Sequence, residues 1–135
     1  MSAYSTNKTI FKDKDCLLKA LAEMGFDSSK VEVHDTATNL VGYHGDKRAD
    51  VAEIIIRRRY VGSMSNDIGF KKNTDGTYEA IISEYDSSRY SSAWLGKLSA
   101  AYARNGILER AKRLGLRPAG TIKKDGKTQL AFVRA

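Results

Sequence analysis

The sequence is poor in the residues that staple or punctuate a chain: 135 residues include one cysteine, one proline, one tryptophan and two histidines. A lone Cys16 excludes an internal disulfide, and since small secreted domains usually pair their cysteines, a reducing compartment is expected. The scarcity of proline and the lack of repeats or low-complexity tracts exclude an obvious linker, so a single α+β domain over residues 1–135 is expected. Apolar runs such as Ile54 to Ile56 fall far short of the roughly 20 residues of a membrane helix or the roughly 7 to 15 of a signal-peptide core. Neither a membrane span nor a secretion signal is expected. Acids are also scarce at one end. Residues 1–88 hold 12 Lys/Arg and 14 Asp/Glu, whereas residues 89–135 hold 11 Lys/Arg and only Glu109 and Asp125 as acids. The formal charge of +7 is thus concentrated in the C-terminal third, and a polarised surface of that kind attracts phosphate backbones or acidic proteins.

What is present reads as alternating strands and helices. Tyr4 to Phe11 mixes β-branched and aromatic residues and predicts a strand; Asp13 then offers an N-cap to a helix carrying Cys16, Leu17, Ala20, Leu21 and Met24 at helical spacing, stopped by Gly25. Lys30 to His34 and Thr38 to Tyr43 are short strand candidates. Val51 to Val61 reads as the strongest strand, with Ala52, Ile54 and Ile56 on one face and Val51, Ile55 and Val61 on the other. Asp75-Gly76 and Asp125-Gly126 each join two β-rich segments and predict two tight hairpins, since glycine accepts positive φ without a Cβ clash. Between them Ser91 or Ser92 caps a long helix with Trp94, Leu95, Leu98, Ala101, Tyr102, Leu108 and Ala111 on one stripe, ending near Gly115 with Pro118 beyond. Gly106 inside it costs about 1 kcal/mol relative to alanine and marks a place for a kink. The expected fold is α+β, a mostly antiparallel sheet with two helices packed on it.

Several of these segments carry a family likeness. Tyr4-Ser5-Thr6, Ile10 to Lys14, Leu17 to Leu21, Gly42-Tyr43 with Gly45-Asp46, Asp67 to Phe70, Asp75 to Tyr78, Tyr102-Ala103, Ile107-Leu108, Ala111-Lys112 and Gln129 to Arg134 resemble, in order and spacing, the plastid ycf thirty-five family. That family is shared by plastids and cyanobacteria, is met in other bacteria and in phages, and is classed as a domain of unknown function. The resemblance implies a small soluble α+β protein; with the reducing compartment expected above, the expected location is the cytoplasm, or a plastid stroma or host cytoplasm if plastid- or phage-encoded. It supplies no catalytic residue to transfer. The run Arg57-Arg58-Arg59 is denser in charge than the family pattern leads one to expect.

The chemistry-bearing residues point away from catalysis. Cys16 at a helix start has the position of a low-pKa nucleophile, yet it lies in the apolar stripe and no catalytic cysteine signature surrounds it. His34, Asp35, His44 and Asp46 are metal-ligand types at spacings that fit no established metal motif. Gly42 and Gly45 form neither a phosphate loop nor a dinucleotide fingerprint. No cofactor and no metal are therefore expected, and the protein reads as non-enzymatic.

Cations beside rings carry more. Along an extended strand Arg57 and Arg59 would share one face about 7 Å apart, close to the spacing of successive phosphates, with Arg58 and Tyr60 on the other. Phe70-Lys71-Lys72 repeats the pairing of ring and cation by which sequence-tolerant binders stack bases and hold backbones. On the long helix Lys97, Arg104 and Lys112 fall within about 80° of one another at 100° per residue. Arg113 and Arg117 lie round its other side, and Lys123, Lys124 and Lys127 crowd the following hairpin. These residues make the candidate surface for nucleic acid or another polyanion, held mainly through backbone contacts. The competing readings are a solvated face, and a protein-protein adaptor or accessory subunit whose field steers it to an acidic partner.

Overall fold

A computed structural model describes residues 2–135. The elements in chain order are β1 (Tyr4–Asn7), α1 (Lys14–Glu23), β2 (Val31–Val41), β3 (Lys47–Ile56), α2 (Arg58–Val61), β4 (Ile68–Lys72), β5 (Tyr78–Ser83), α3 (Ser92–Arg113), β6 (Leu116–Lys124) and β7 (Lys127–Arg134). Five strands form an antiparallel sheet in the order β1-β5-β4-β3-β2, and β6 pairs with β7 in a separate two-stranded sheet. The fold is α+β. The chain divides into two compact units, 1–102 and 103–135, the boundary falling within α3.

In the first unit one face of the sheet supplies Ile54, Ile56, Ile68, Phe70, Tyr78, Ala80 and Ile82 to the main core, where they meet Leu17, Ala20 and Leu21 of α1 and Leu98 and Ala101 of α3. Each isoleucine, leucine and phenylalanine among them contributes about 1.5–3 kcal/mol on leaving water. Asp13 caps α1 by accepting the Cys16 N–H at 3.0 Å, and Cys16 is buried. The Tyr102 hydroxyl accepts the N–H groups of Lys12 and Asp13, both at 2.9 Å, fixing the entry to α1 from α3.

The other face carries a smaller cluster of Leu40, Ala52, Ile55 and Ile81, with Tyr4 packed against it. It exists because β2 and β3 bend: their register shifts between Val33 and Thr38 and again between Asn39 and Val41, and such bulges sharpen strand curvature. The bend brings Leu40 and Ala52 down onto Gly69, where a Cβ would stand 2.7 Å from that of Ala52 and 3.0 Å from a Leu40 methyl. Gly69→Ala is therefore expected to destabilise the fold by about 1–3 kcal/mol through overpacking, measured as a lowered urea midpoint with unchanged slope.

Several expectations are corrected in detail. The two expected strands Lys30 to His34 and Thr38 to Tyr43 merge into one bulged strand that runs only from Val31 to Val41, the first strand ends at Asn7, and α3 runs through Gly106 without a break. A third helix, the single turn α2, joins the two expected. The largest correction concerns Val51 to Val61: β3 ends at Ile56, and Arg58–Val61 is that helical turn, so Arg57 and Arg59 do not share a strand face. The cause lies outside the segment. The Asp67 carboxylate caps the turn by accepting the Arg58 N–H at 2.6 Å, which terminates a run whose own β-branched residues would extend it.

Candidate functional site

Asp67 is fully buried immediately before β4, yet each carboxylate oxygen has a donor. Besides the Arg58 N–H on Oδ1, its Oδ2 accepts the Val41 N–H at 2.7 Å and Nη1 of Arg57 at 2.8 Å. Its backbone pairs with Val41 as well, and its carbonyl accepts the Tyr4 hydroxyl at 2.7 Å. Burial first, and the Asp67 charge next, push the Tyr4 phenol well above its ordinary value. The Asp67 carboxylate thus ties the bent end of β2 to the turn α2, and its backbone carbonyl adds strand β1.

Arg57 is held on its other side by Glu32. Nε and Nη2 donate to the two Glu32 oxygens at 2.9 Å each, a bidentate fork, and Nη1 also reaches the Asn39 carbonyl at 3.3 Å. Such geometry makes the strong class of charge-assisted bonds. The Glu32 fork is the main reason that Arg57 is held more firmly in its charged form. In return the Arg57 bonds, and to a smaller degree His34 with its Nε2 at 2.9 Å, hold the Glu32 carboxyl below the usual carboxylate range. A carboxylate that ionises more easily folded than unfolded stabilises the fold fully above its unfolded value of about 4.3, and that contribution is lost as pH falls through the lower folded value. The stability gap between the wild type and Glu32→Gln is accordingly expected to be present near neutrality and to close as pH falls through the lowered folded value of Glu32. Denaturation curves at several pH values check this.

Around this clamp lies an open groove of about 720 Å³ lined by Glu32, Thr38, Asn39, Val41, Lys47, Arg57, Arg58, Arg59 and Asp67. Arg58 stacks on the Tyr43 ring at 5.2 Å and Arg59 on the Tyr60 ring at 4.8 Å, while Tyr60 itself packs against the main core. Next to the groove a second buried network joins Asn66, Ser83 and Asp86: Asn66 donates its backbone N–H to Asp86 and its amide to Ser83, each at 3.0 Å, and accepts the Tyr43 N–H at 2.9 Å. Lys71 and Lys72 stand elsewhere in the same unit, exposed at the end of β4 opposite Glu79 and Tyr78. Lys97 is exposed on α3.

The remaining candidates belong to the 103–135 unit. It holds nine Lys/Arg against two acids, whereas residues 1–102 hold 14 of each, so the whole formal charge of +7 resides there. Arg104, Lys112, Arg113, Arg117, Lys123, Lys124 and Lys127 are all exposed. Arg104 aside, none of these makes an ion pair among the described residues. Asp125 and Gly126 both take positive φ, 52° and 73°, closing a two-residue turn. This sets Lys124 directly opposite Lys127, with Lys123 beside Thr128. Like charges facing one another across an antiparallel pair are destabilising unless counter-charge reaches them.

The family match decides membership, since a model described as a protein of unknown function (DUF1257) covers residues 20–131. The chain belongs to the DUF1257 family. The DUF1257 span includes both the groove and the basic hairpin tip. No curated protein matches the chain, and no solved structure matches it either. Among the described residues no three His, Cys, Asp or Glu side chains group to hold a metal ion, and no helix is long and apolar enough to cross a membrane. The sequence reading missed Glu32, Lys47 and Asp67. Asp67 left a signal, a polar Ser65-Asn66-Asp67 run directly before a buried strand; Glu32 and Lys47 left none.

Proposed function

We propose that this DUF1257 protein is a non-enzymatic binder of nucleic acid or a similar polyanion, engaging the phosphate backbone through the 103–135 unit. The observation that carries the reading is the confinement of the whole +7 charge to that unit, with exposed cations that include the facing Lys124–Lys127 pair. Counterion release makes such binding strongly salt-dependent. Binding to a short duplex followed across a salt series tests it: a steep fall in affinity is expected, and affinity indifferent to salt would overturn it. Within the family, we place the chain with the plastid ycf thirty-five proteins that it resembles, on the collinear segments given above.

One observation favours an adaptor as the second reading. Ile107, Leu114, Ile122 and Val133 are exposed in the same unit, and apolar side chains among cations suit a protein partner with an acidic rim. That reading predicts one co-purifying protein that survives nuclease treatment.

A further inference from the structure

We infer that the groove of the 1–102 unit is a discrete phosphate-binding site, in which Arg58, Arg59 and Lys47 take the anion and Arg57 is a positioning residue. The inference does not rest on the reading of the 103–135 unit. Both carboxylates that line the groove are already engaged by the Arg57 guanidinium. Lys47, Arg58 and Arg59 line the same groove and make no ion pair among the described residues. Stacking on Tyr43 and Tyr60 orients the two guanidinium groups, and a stacked arginine keeps its in-plane N–H donors for an anion.

A further observation points to a ligand. Arg58 Nε is buried with no hydrogen-bond partner, and a buried donor is normally satisfied. A phosphate oxygen suits it better than a neutral acceptor, because two planar forks and an ammonium match a tetrahedral dianion with several oxygens. The volume of about 720 Å³ lies in the range of small-molecule sites and exceeds a bare phosphate. The groove therefore has room for the group that carries the phosphate, and a mononucleotide and a nucleic-acid strand are the two sources the test distinguishes.

The test is an NMR titration of the full-length ¹⁵N-labelled protein with pyrophosphate, with ADP and with a short single-stranded oligonucleotide. Pyrophosphate is expected to shift the amides of Val41, Arg58 and Arg59 saturably. The double variant Arg58→Met/Arg59→Met is expected to weaken that binding by about tenfold or more, as loss of two charge-assisted contacts requires. Both substitutions keep the Arg58 N–H on Asp67, and the wild-type shift map stands whether or not the variant folds. A variant with Lys123, Lys124 and Lys127 changed to glutamate is expected to bind pyrophosphate as the wild type does, which separates this site from the basic hairpin. ADP binding at the same amides identifies a nucleotide as the source of the phosphate; oligonucleotide competition with pyrophosphate identifies a strand. Shifts absent from the groove, or an unchanged affinity in a folded double variant, would overturn the inference.

Discussion

Replacing Asp67 with alanine is expected to cost about 3–5 kcal/mol, the loss typical when one partner of a buried ion pair is removed. Three donors lose a bond to the carboxylate at once: the Val41 N–H, the Arg58 N–H and Nη1 of Arg57, whose guanidinium keeps its fork to Glu32. Against a total stability of about 5–15 kcal/mol for a domain, that loss brings the fold near its limit. Asp67→Asn keeps an oxygen but places an amide NH₂ among donors, so its cost is expected to be smaller yet clear, since bonds to a charged acceptor are about twice as strong as neutral ones. Trp94 is the sole tryptophan and packs against Phe26 and Tyr90, so its fluorescence reports urea unfolding directly. An Asp67→Ala protein within about 1 kcal/mol of the wild type would remove Asp67 from its place at the centre of the unit, that being the size of one ordinary hydrogen bond.

The second large effect is on binding. Lys123, Lys124 and Lys127 are exposed and crowd one hairpin tip. Changing all three to glutamate is expected to leave stability within about 0.5 kcal/mol, as for ordinary surface substitutions. The facing Lys124–Lys127 pair becomes a like pair of acids, so the repulsion across the turn is kept with its sign reversed. Affinity for a polyanion should fall far more. Each lost phosphate contact removes about 0.9 from the magnitude of the slope of log affinity against log salt on duplex DNA.

Local patterns that end within the segment were readable in advance. Asp13 with the Cys16 stripe gave α1 its start, and Asp75-Gly76 and Asp125-Gly126 marked both hairpins, because turn chemistry is local; Asp125-Gly126 is the two-residue turn expected, whereas Asp75-Gly76 lies within a longer connection between Lys72 and Tyr78. The long helix was readable for the same reason, its stripe repeating over six turns. The arginine segment was not, because its conformation is imposed from elsewhere: Glu32 lies 25 residues before Arg57 and Asp67 ten after it. Periodicity read along Val51 to Val61 cannot register a cap contributed from just before the next strand. The bend of β2 and β3 was hidden likewise, since bulges depend on which residues face each other. The charge asymmetry was readable as composition, but its confinement to a separate unit needed the fold.

The most direct measurement is affinity for a short duplex from about 50 to 200 mM salt, compared between the wild type and the variant with Lys123, Lys124 and Lys127 changed to glutamate. A backbone-binding 103–135 unit predicts a steep wild-type slope that is shallower in the variant by about 2 to 3, with weaker binding throughout. Equal slopes in the two proteins, or wild-type affinity that does not change with salt, would contradict it.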